Sequence, residues 1–176
     1  MRTCKACKTK FEPQYNTIQP TCSIKCAIDY ANDKNLKERR KDTRKRKQAL
    51  KTRSDWLREA EMACNAYIVY RDRNDPCISC GTMKPDIQYA AGHYKTKGAH
   101  PELRFHPMNI HKQCNKNCNL HLSGNISNYR PKLIEKIGIS QVEWLEGPQQ
   151  PQNWTIEDAK EIKQYYKEQL KYLKSV

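Results

Sequence analysis

At 176 residues the chain is long enough for about one domain, or two small ones. Lysine and arginine (33) outnumber the acidic residues (19), for a net charge of +14, and only 37% of residues are hydrophobic. No apolar run approaches the ~18 residues of a membrane span. The charge asks for a polyanionic partner, nucleic acid before membrane.

The chain opens on "MRTCKACKTK", without the apolar stretch of a signal peptide. The setting expected is the cytoplasm, where thiols stay reduced and bind metal. Of nine cysteines, eight form two tetrads: Cys4, Cys7, Cys22, Cys26 and Cys77, Cys80, Cys114, Cys118. Both read C-x2-C, a gap, then C-x3-C. Thiolate tetrads are the usual ligands of structural Zn2+, and a thin core benefits from such staples.

Residues 1–32 read as a small cysteine module, with short extended pieces broken by Pro13 and Pro20, and a helix starting in "CSIKCAIDYA". Residues 33–53 read as a basic helical linker or arm. In "KNLKERRKDTRKRKQALKTR" eleven basic residues stand against two acidic ones, without glycine or proline. Apolar positions are too few for a packed face. The segment is either a solvated linker or an arm lying along phosphates through Arg39, Arg40, Arg44 and Arg46.

Residues 54–176 read as the main domain. A helix capped by Ser54 carries Leu57, Ala60, Cys64, Tyr67 and Ile68 as one apolar stripe. Cys64 fits there as a small core residue. "DIQYAAGHY" reads as a strand, "LRFHPMNIH" as its partner, and "CNLHLSGN" as a turn entering a helix. Further on, Pro131 suits a first helical turn ended by Gly138, and Ser140 with Glu143 has capping-box form. Thr155 caps a last helix with Ile156, Ala159, Ile162, Tyr166, Leu170 and Leu173 on one face. That face packs on its own domain or serves a homodimer. The fold class expected is α+β, mainly helical.

Zinc across the Cys80–Cys114 gap would hold a rigid frame displaying His93, His100, His106, Asn109 and His111. His93, at a strand end, has the ordinary pKa of ~6.5 that suits a general base. Phosphodiester hydrolysis needs such a base, and a positive centre for the charge growing on the leaving oxygen. Asn119, directly after the last cysteine, offers a carbonyl oxygen that Mg2+ accepts.

"CISC…AGHY…NIHKQC…CN…SGN" resembles the HNH, or ββα-metal, nuclease pattern with four zinc cysteines. "RSDWLREAEMACNAYIVYRDRNDPCISCGT", "AGHYKTKGAHPELRFHPMNIHKQC" and "SGNISNYRPKLIEKIG" resemble the NinG, or Rap, family of lambdoid phages over nearly the whole chain. The resemblance implies a structure-specific endonuclease of branched double-stranded DNA, including Holliday junctions, working in phage recombination. It implies His93 as general base, Asn109 as the residue steadying it, and Asn119 as ligand of a catalytic Mg2+ or Mn2+. Two features depart from the HNH pattern. Gly92 stands where Asp or His usually precedes the base, with Ala90 where related chains can carry Asp. The C-x3-C pair can also turn Asn119 by part of a helical turn, leaving His121 or His111 as alternates. Lys95, Lys97, Arg104, Lys112 and Lys116 surround the centre and are expected on phosphate. The competing expectations are a non-catalytic binder of branched DNA and a recombination adaptor.

Overall fold

The structure is a computed structural model and describes residues 1–16 and 18–175. It divides into two compact units, Met1–Lys51 and Thr52–Val176.

In the first unit, β1 (Arg2–Thr3) pairs antiparallel with β2 (Lys10–Phe11) around the first cysteine turn. Ser23 then caps α1 (Ile24–Ala49), its hydroxyl accepting from the Cys26 N–H at 3.2 Å. This single helix runs through the expected boundary between residues 32 and 33. It buries no residue. Asp33–Lys37 and Asp42–Arg46 pair along it at 2.6 and 2.9 Å, one helical turn apart.

In the second unit, α2 (Arg53–Arg71) is capped by Thr52 and not by Ser54. The residue three after Thr52 is Asp55, which returns the bond: Thr52 Oγ1 accepts from the Asp55 N–H, and Asp55 accepts from the Thr52 N–H at 3.0 Å. Ser54 has Leu57 at that spacing, which cannot reciprocate. Leu57, Ala60, Cys64 and Ile68 are buried as expected, and α2 packs against α5 (Ile156–Ser175) through Ala159 and Tyr166. Burial pushes the Cys64 thiol up to about 12, which keeps it protonated. Thr155 caps α5 as expected, its hydroxyl accepting from the Asp158 N–H at 3.1 Å.

Between these helices, β3 (Tyr89–His93) pairs antiparallel with β4 (Ile110–Cys114), with His93 opposite Ile110 and Tyr89 opposite Cys114. The partner strand begins later than expected. Pro101–Leu103 and Pro107–Asn109 form 3-10 turns instead, because proline fixes φ and brings no N–H to a ladder. Ala91 and Ile110 pack into the α2–α5 core. The opposite face meets α3 (Ile126–Ile137), where the Tyr129 hydroxyl donates to Gly92 O at 3.1 Å. Leu133 of α3 joins Val142 and Leu145 of α4 (Ile139–Glu146) in a second core.

Two helix starts differ from expectation. α3 begins at Ile126, behind a left-handed turn at Ser123, Gly124 and Asn125, so Pro131 lies inside it. α4 begins directly after Gly138, whose φ of 86° only glycine takes readily, so Ser140 lies within the helix and makes no cap.

At the end of α2, Asp72 is 2% exposed. It pairs with Arg71 at 2.7 Å, accepts from the Lys112 N–H at 3.0 Å, and lies 3.3 Å from Lys136. Arg71 also donates to the carbonyls of Pro107 and Ile110. This network joins α2, the hairpin and α3. Among the described residues no helix is long and apolar enough to cross a membrane.

Candidate functional site

Each cysteine tetrad closes into one cluster, with all four sulfurs within 4.8 Å of one another. In the first unit the Cys7–Cys22 and Cys22–Cys26 sulfurs lie 3.5 and 3.6 Å apart. In the second, Cys80 and Cys114 lie 3.7 Å apart. Tetrahedral Zn2+ with Zn–S bonds of ~2.3 Å sets its sulfurs ~3.8 Å apart, while a disulfide needs ~2.05 Å. Amides already point at the sulfurs: Cys22 N–H at Cys4, Cys114 N–H at Cys77 and Cys118 N–H at Cys114. Burial pushes the Cys4 thiol up, but the amides of Cys22, Cys7 and Ala6 outweigh it and bring the group down to about 6. Both clusters could hold a metal ion, and both are compatible with structural zinc.

The longer C-x3-C spacing has a structural answer. Asn115–His121 winds as a π-helix, with the Leu122 N–H reaching Asn117 O at 3.0 Å. The wide coil spends about four residues per turn. Cys114 and Cys118 therefore return to the same side.

At the hairpin end, Asn109 is fully buried. Its Oδ1 accepts from the Lys95 N–H at 2.8 Å, and its Nδ2 donates to Lys95 O and Leu103 O at 3.0 and 3.1 Å. Asn109 thus holds both ends of the excursion that leaves β3 after His93. Arg104, next in the chain, places its backbone carbonyl 3.0 Å from His93 Nε2. A carbonyl only accepts, so Nε2 carries the proton and Nδ1 keeps the free lone pair. Burial pushes the His93 pKa down, against the opposing pull of the Arg104 carbonyl. The ring is therefore neutral at neutral pH.

The other expected site residues lie elsewhere. Asn119 is half-buried on the π-helix, its Nδ2 3.3 Å from Asn115 Oδ1. His121 is exposed and, with Lys116, lines a cavity of about 600 Å³ beside Cys80 and Cys114. His111 is buried, its Nδ1 3.2 Å from the Tyr129 hydroxyl. Among the described residues no hydrogen bond or ring contact joins His93 to any of these three. Groups of three or more His, Cys, Asp or Glu placed to share a metal are, among the described residues, the two tetrads alone. Around His93 such a donor set for a catalytic Mg2+ or Mn2+ is not assembled. Gly92 explains part of this: a Cβ built there falls on Gln113 Oε1 and 2.9 Å from its Cδ. That oxygen is itself buried without a partner.

The cations divide by role. Arg39, Arg40 and Arg44 are exposed on α1 and, among the described residues, have no acidic partner, whereas Arg46 pairs with Asp42. Lys97 and Arg104 both bind Glu61. Lys95 is half-buried and clasped through its backbone by Asn109. Lys112 corrects the expectation of a phosphate contact: it is 6% exposed, donates to Arg73 O at 3.0 Å and lies over the Tyr89 ring. Glu61 and Gln113 were not found from the sequence. Neither sits in a spacing motif, and their roles arise from contacts 43 and 34 residues away along the chain.

These features define a class: a basic protein built on two tetrathiol knuckles, one leading into a charged helix and one locking a β-hairpin. The chain belongs to the NinG family, whose model, described as "Bacteriophage Lambda NinG protein", matches residues 1–175. It is 43% identical over 193 residues to Protein ninG of Salmonella phage P22, covering 98% of this chain and 94% of that one. It is 42% identical over 194 residues to Protein ninG of Escherichia phage lambda, covering 99% and 94%. No solved structure matches the chain.

Proposed function

We propose that the protein is a structure-specific endonuclease that cuts branched DNA, Holliday junctions among them, during phage recombination in the host cytoplasm. The observation that supports this reading best is the His93 Nε2 contact with Arg104 O, which leaves Nδ1 as a base at the end of a rigid hairpin. In this reading His93 Nδ1 takes a proton from water as the water oxygen attacks phosphorus. The bond from phosphorus to the leaving sugar oxygen breaks, and solvent protonates that oxygen. The α1 cations supply sequence-independent affinity for phosphate. A divalent cation such as Mg2+ or Mn2+ belongs to the proposal through the HNH resemblance, and no step here is routed through it.

Gln113 filling the place of a ligand at residue 92 favours a second reading, a zinc-dependent binder of branched DNA without catalysis. One experiment separates them. Wild type and His93→Ala are incubated with a four-way junction and a matched duplex, with Mg2+ or Mn2+ and with chelator. Cleavage by wild type alone, stopped by chelator, supports the nuclease. Junction binding without cleavage under every divalent ion leaves the binder.

A further inference from the structure

Glu61 of α2 pairs with two cations of the excursion that follows His93. Its Oε1 pairs with Lys97 Nζ, and its Oε2 lies 2.7 Å from Arg104 Nη2. Its side chain is 15% exposed. Burial pushes its carboxyl up, but Lys97 and Arg104 outweigh this and hold it below the usual carboxylate range.

Lys97 and Arg104 lie towards the two ends of the excursion between β3 and β4. Arg104 is held through its side chain and its backbone. Its side chain is fixed by Glu61, and its backbone carbonyl meets His93 Nε2. Its own Nε is buried without a hydrogen-bond partner. The guanidinium therefore sits where Glu61 puts it, and not where all its donors are satisfied.

We propose that Glu61 is a positioning residue for His93: by clamping Lys97 and Arg104 to α2 it keeps the Arg104 carbonyl on Nε2, and so reserves Nδ1 for the proton. A neutral imidazole has two tautomers, and only the Nε2–H form leaves Nδ1 free. Asn109 and Tyr166 pin the carbonyls on either side, those of Leu103 and Phe105; without the clamp the peptide between them is free to turn its carbonyl off Nε2, and both tautomers form. The catalytic consequence rests on the nuclease reading; the tautomer consequence does not.

The test uses the full, zinc-loaded chain with 15N-labelled histidine, without DNA or added divalent ion, above neutral pH. The two ring-nitrogen shifts of His93, assigned from a His93→Gln spectrum, report its tautomer. Wild type is expected to show only Nε2–H. Glu61→Gln, isosteric but uncharged, is expected to show a mixture. Its junction cleavage should fall roughly 10- to 100-fold with junction binding kept. Arg104→Lys, which keeps the charge and loses the planar fork, should also mix the tautomers, and it decides the matter if Glu61→Gln fails to fold. A single Nε2–H tautomer in the folded variants overturns the proposal. A mixed tautomer in a protein whose wild type never cuts keeps the role of Glu61 and removes the nuclease reading instead.

Discussion

Gln113 lies across Gly92 so closely that the hairpin has no room for a side chain at residue 92. Its amide cannot easily withdraw, because Nε2 donates to Ser79 Oγ at 2.6 Å and to Gly124 O at 2.5 Å. The Asp or His that usually precedes the base in the HNH pattern does not fit this packing. Gly92→Asp should destabilise the second unit by about 1–3 kcal/mol. Adding Gln113→Ala should return part of that loss. Urea unfolding with zinc in excess measures both, and identical midpoints for the single and double variants would remove the steric account.

Asp72 should be costly to lose. Asp72→Ala leaves Arg71 and Lys136 without their buried carboxylate and the Lys112 N–H without an acceptor. Breaking one side of such a buried pair costs about 3–5 kcal/mol. A denaturation midpoint within error of wild type would show that the network contributes little.

His111 makes stability depend on pH. Burial, helped by Arg71 and Lys136 against Asp72 and Asp75, holds its pKa down to about 3, while the unfolded chain takes up that proton near ~6.5. Between these values the unfolded state binds the extra proton. Stability therefore falls as pH drops through the window, by up to about 1.4 kcal/mol per unit. His111→Gln should flatten the slope between pH ~6.5 and ~5. Both proteins share the cysteine titrations, so equal slopes would count against His111.

The metal content should be two zinc ions per chain, one for each sulfur cluster. Structural zinc carries about 10–16 kcal/mol of apparent binding energy in small modules. Cys118→Ser should lose one ion together with the ordered hairpin. Cys26→Ser should lose the other ion while the unfolding transition of the second unit stays in place, because the two units are separately compact. Elemental analysis beside circular dichroism reads both. A Cys26→Ser protein lacking both ions would show that the clusters are not independent.

The lysines and arginines should separate in their salt response. Each phosphate contact adds roughly 0.9 to the log–log salt slope on duplex DNA. Replacing Arg39, Arg40 and Arg44 by glutamine should reduce that slope. Lys112→Gln should leave it unchanged and lower the melting temperature instead, since the ammonium is spent on Arg73 O and the Tyr89 ring. A slope lowered by Lys112→Gln would return that lysine to the DNA surface.

What was legible in the sequence was mostly local. The spacing of Leu57, Ala60, Cys64 and Ile68 announced the buried face of α2, and paired cysteines announced the two clusters. Thr155 was a readable cap. Competing short-range signals misled: Ser54 looked like a cap until Thr52 and Asp55 closed their reciprocal bonds. Exposure was harder still. All five residues of β4 are buried, so alternation could not tell that Lys112 points inward. Glu61 was invisible because its partners, Lys97 and Arg104, reach it only through the fold.

Helix α1 has a consequence of its own. Its first turns carry Cys26 of the sulfur cluster and Tyr30 under Lys5; beyond them no side chain is buried and the helix is not tied to a neighbour. It is held by its Ser23 cap and by ion pairs one turn apart, each a modest and salt-sensitive contribution. Exchanges along it beyond Tyr30 that preserve charge and avoid glycine and proline should cost the rest of the molecule almost nothing. Evolution can retune this helix by arithmetic, adding or subtracting charges, while the sulfur clusters and the hairpin must be changed as a set.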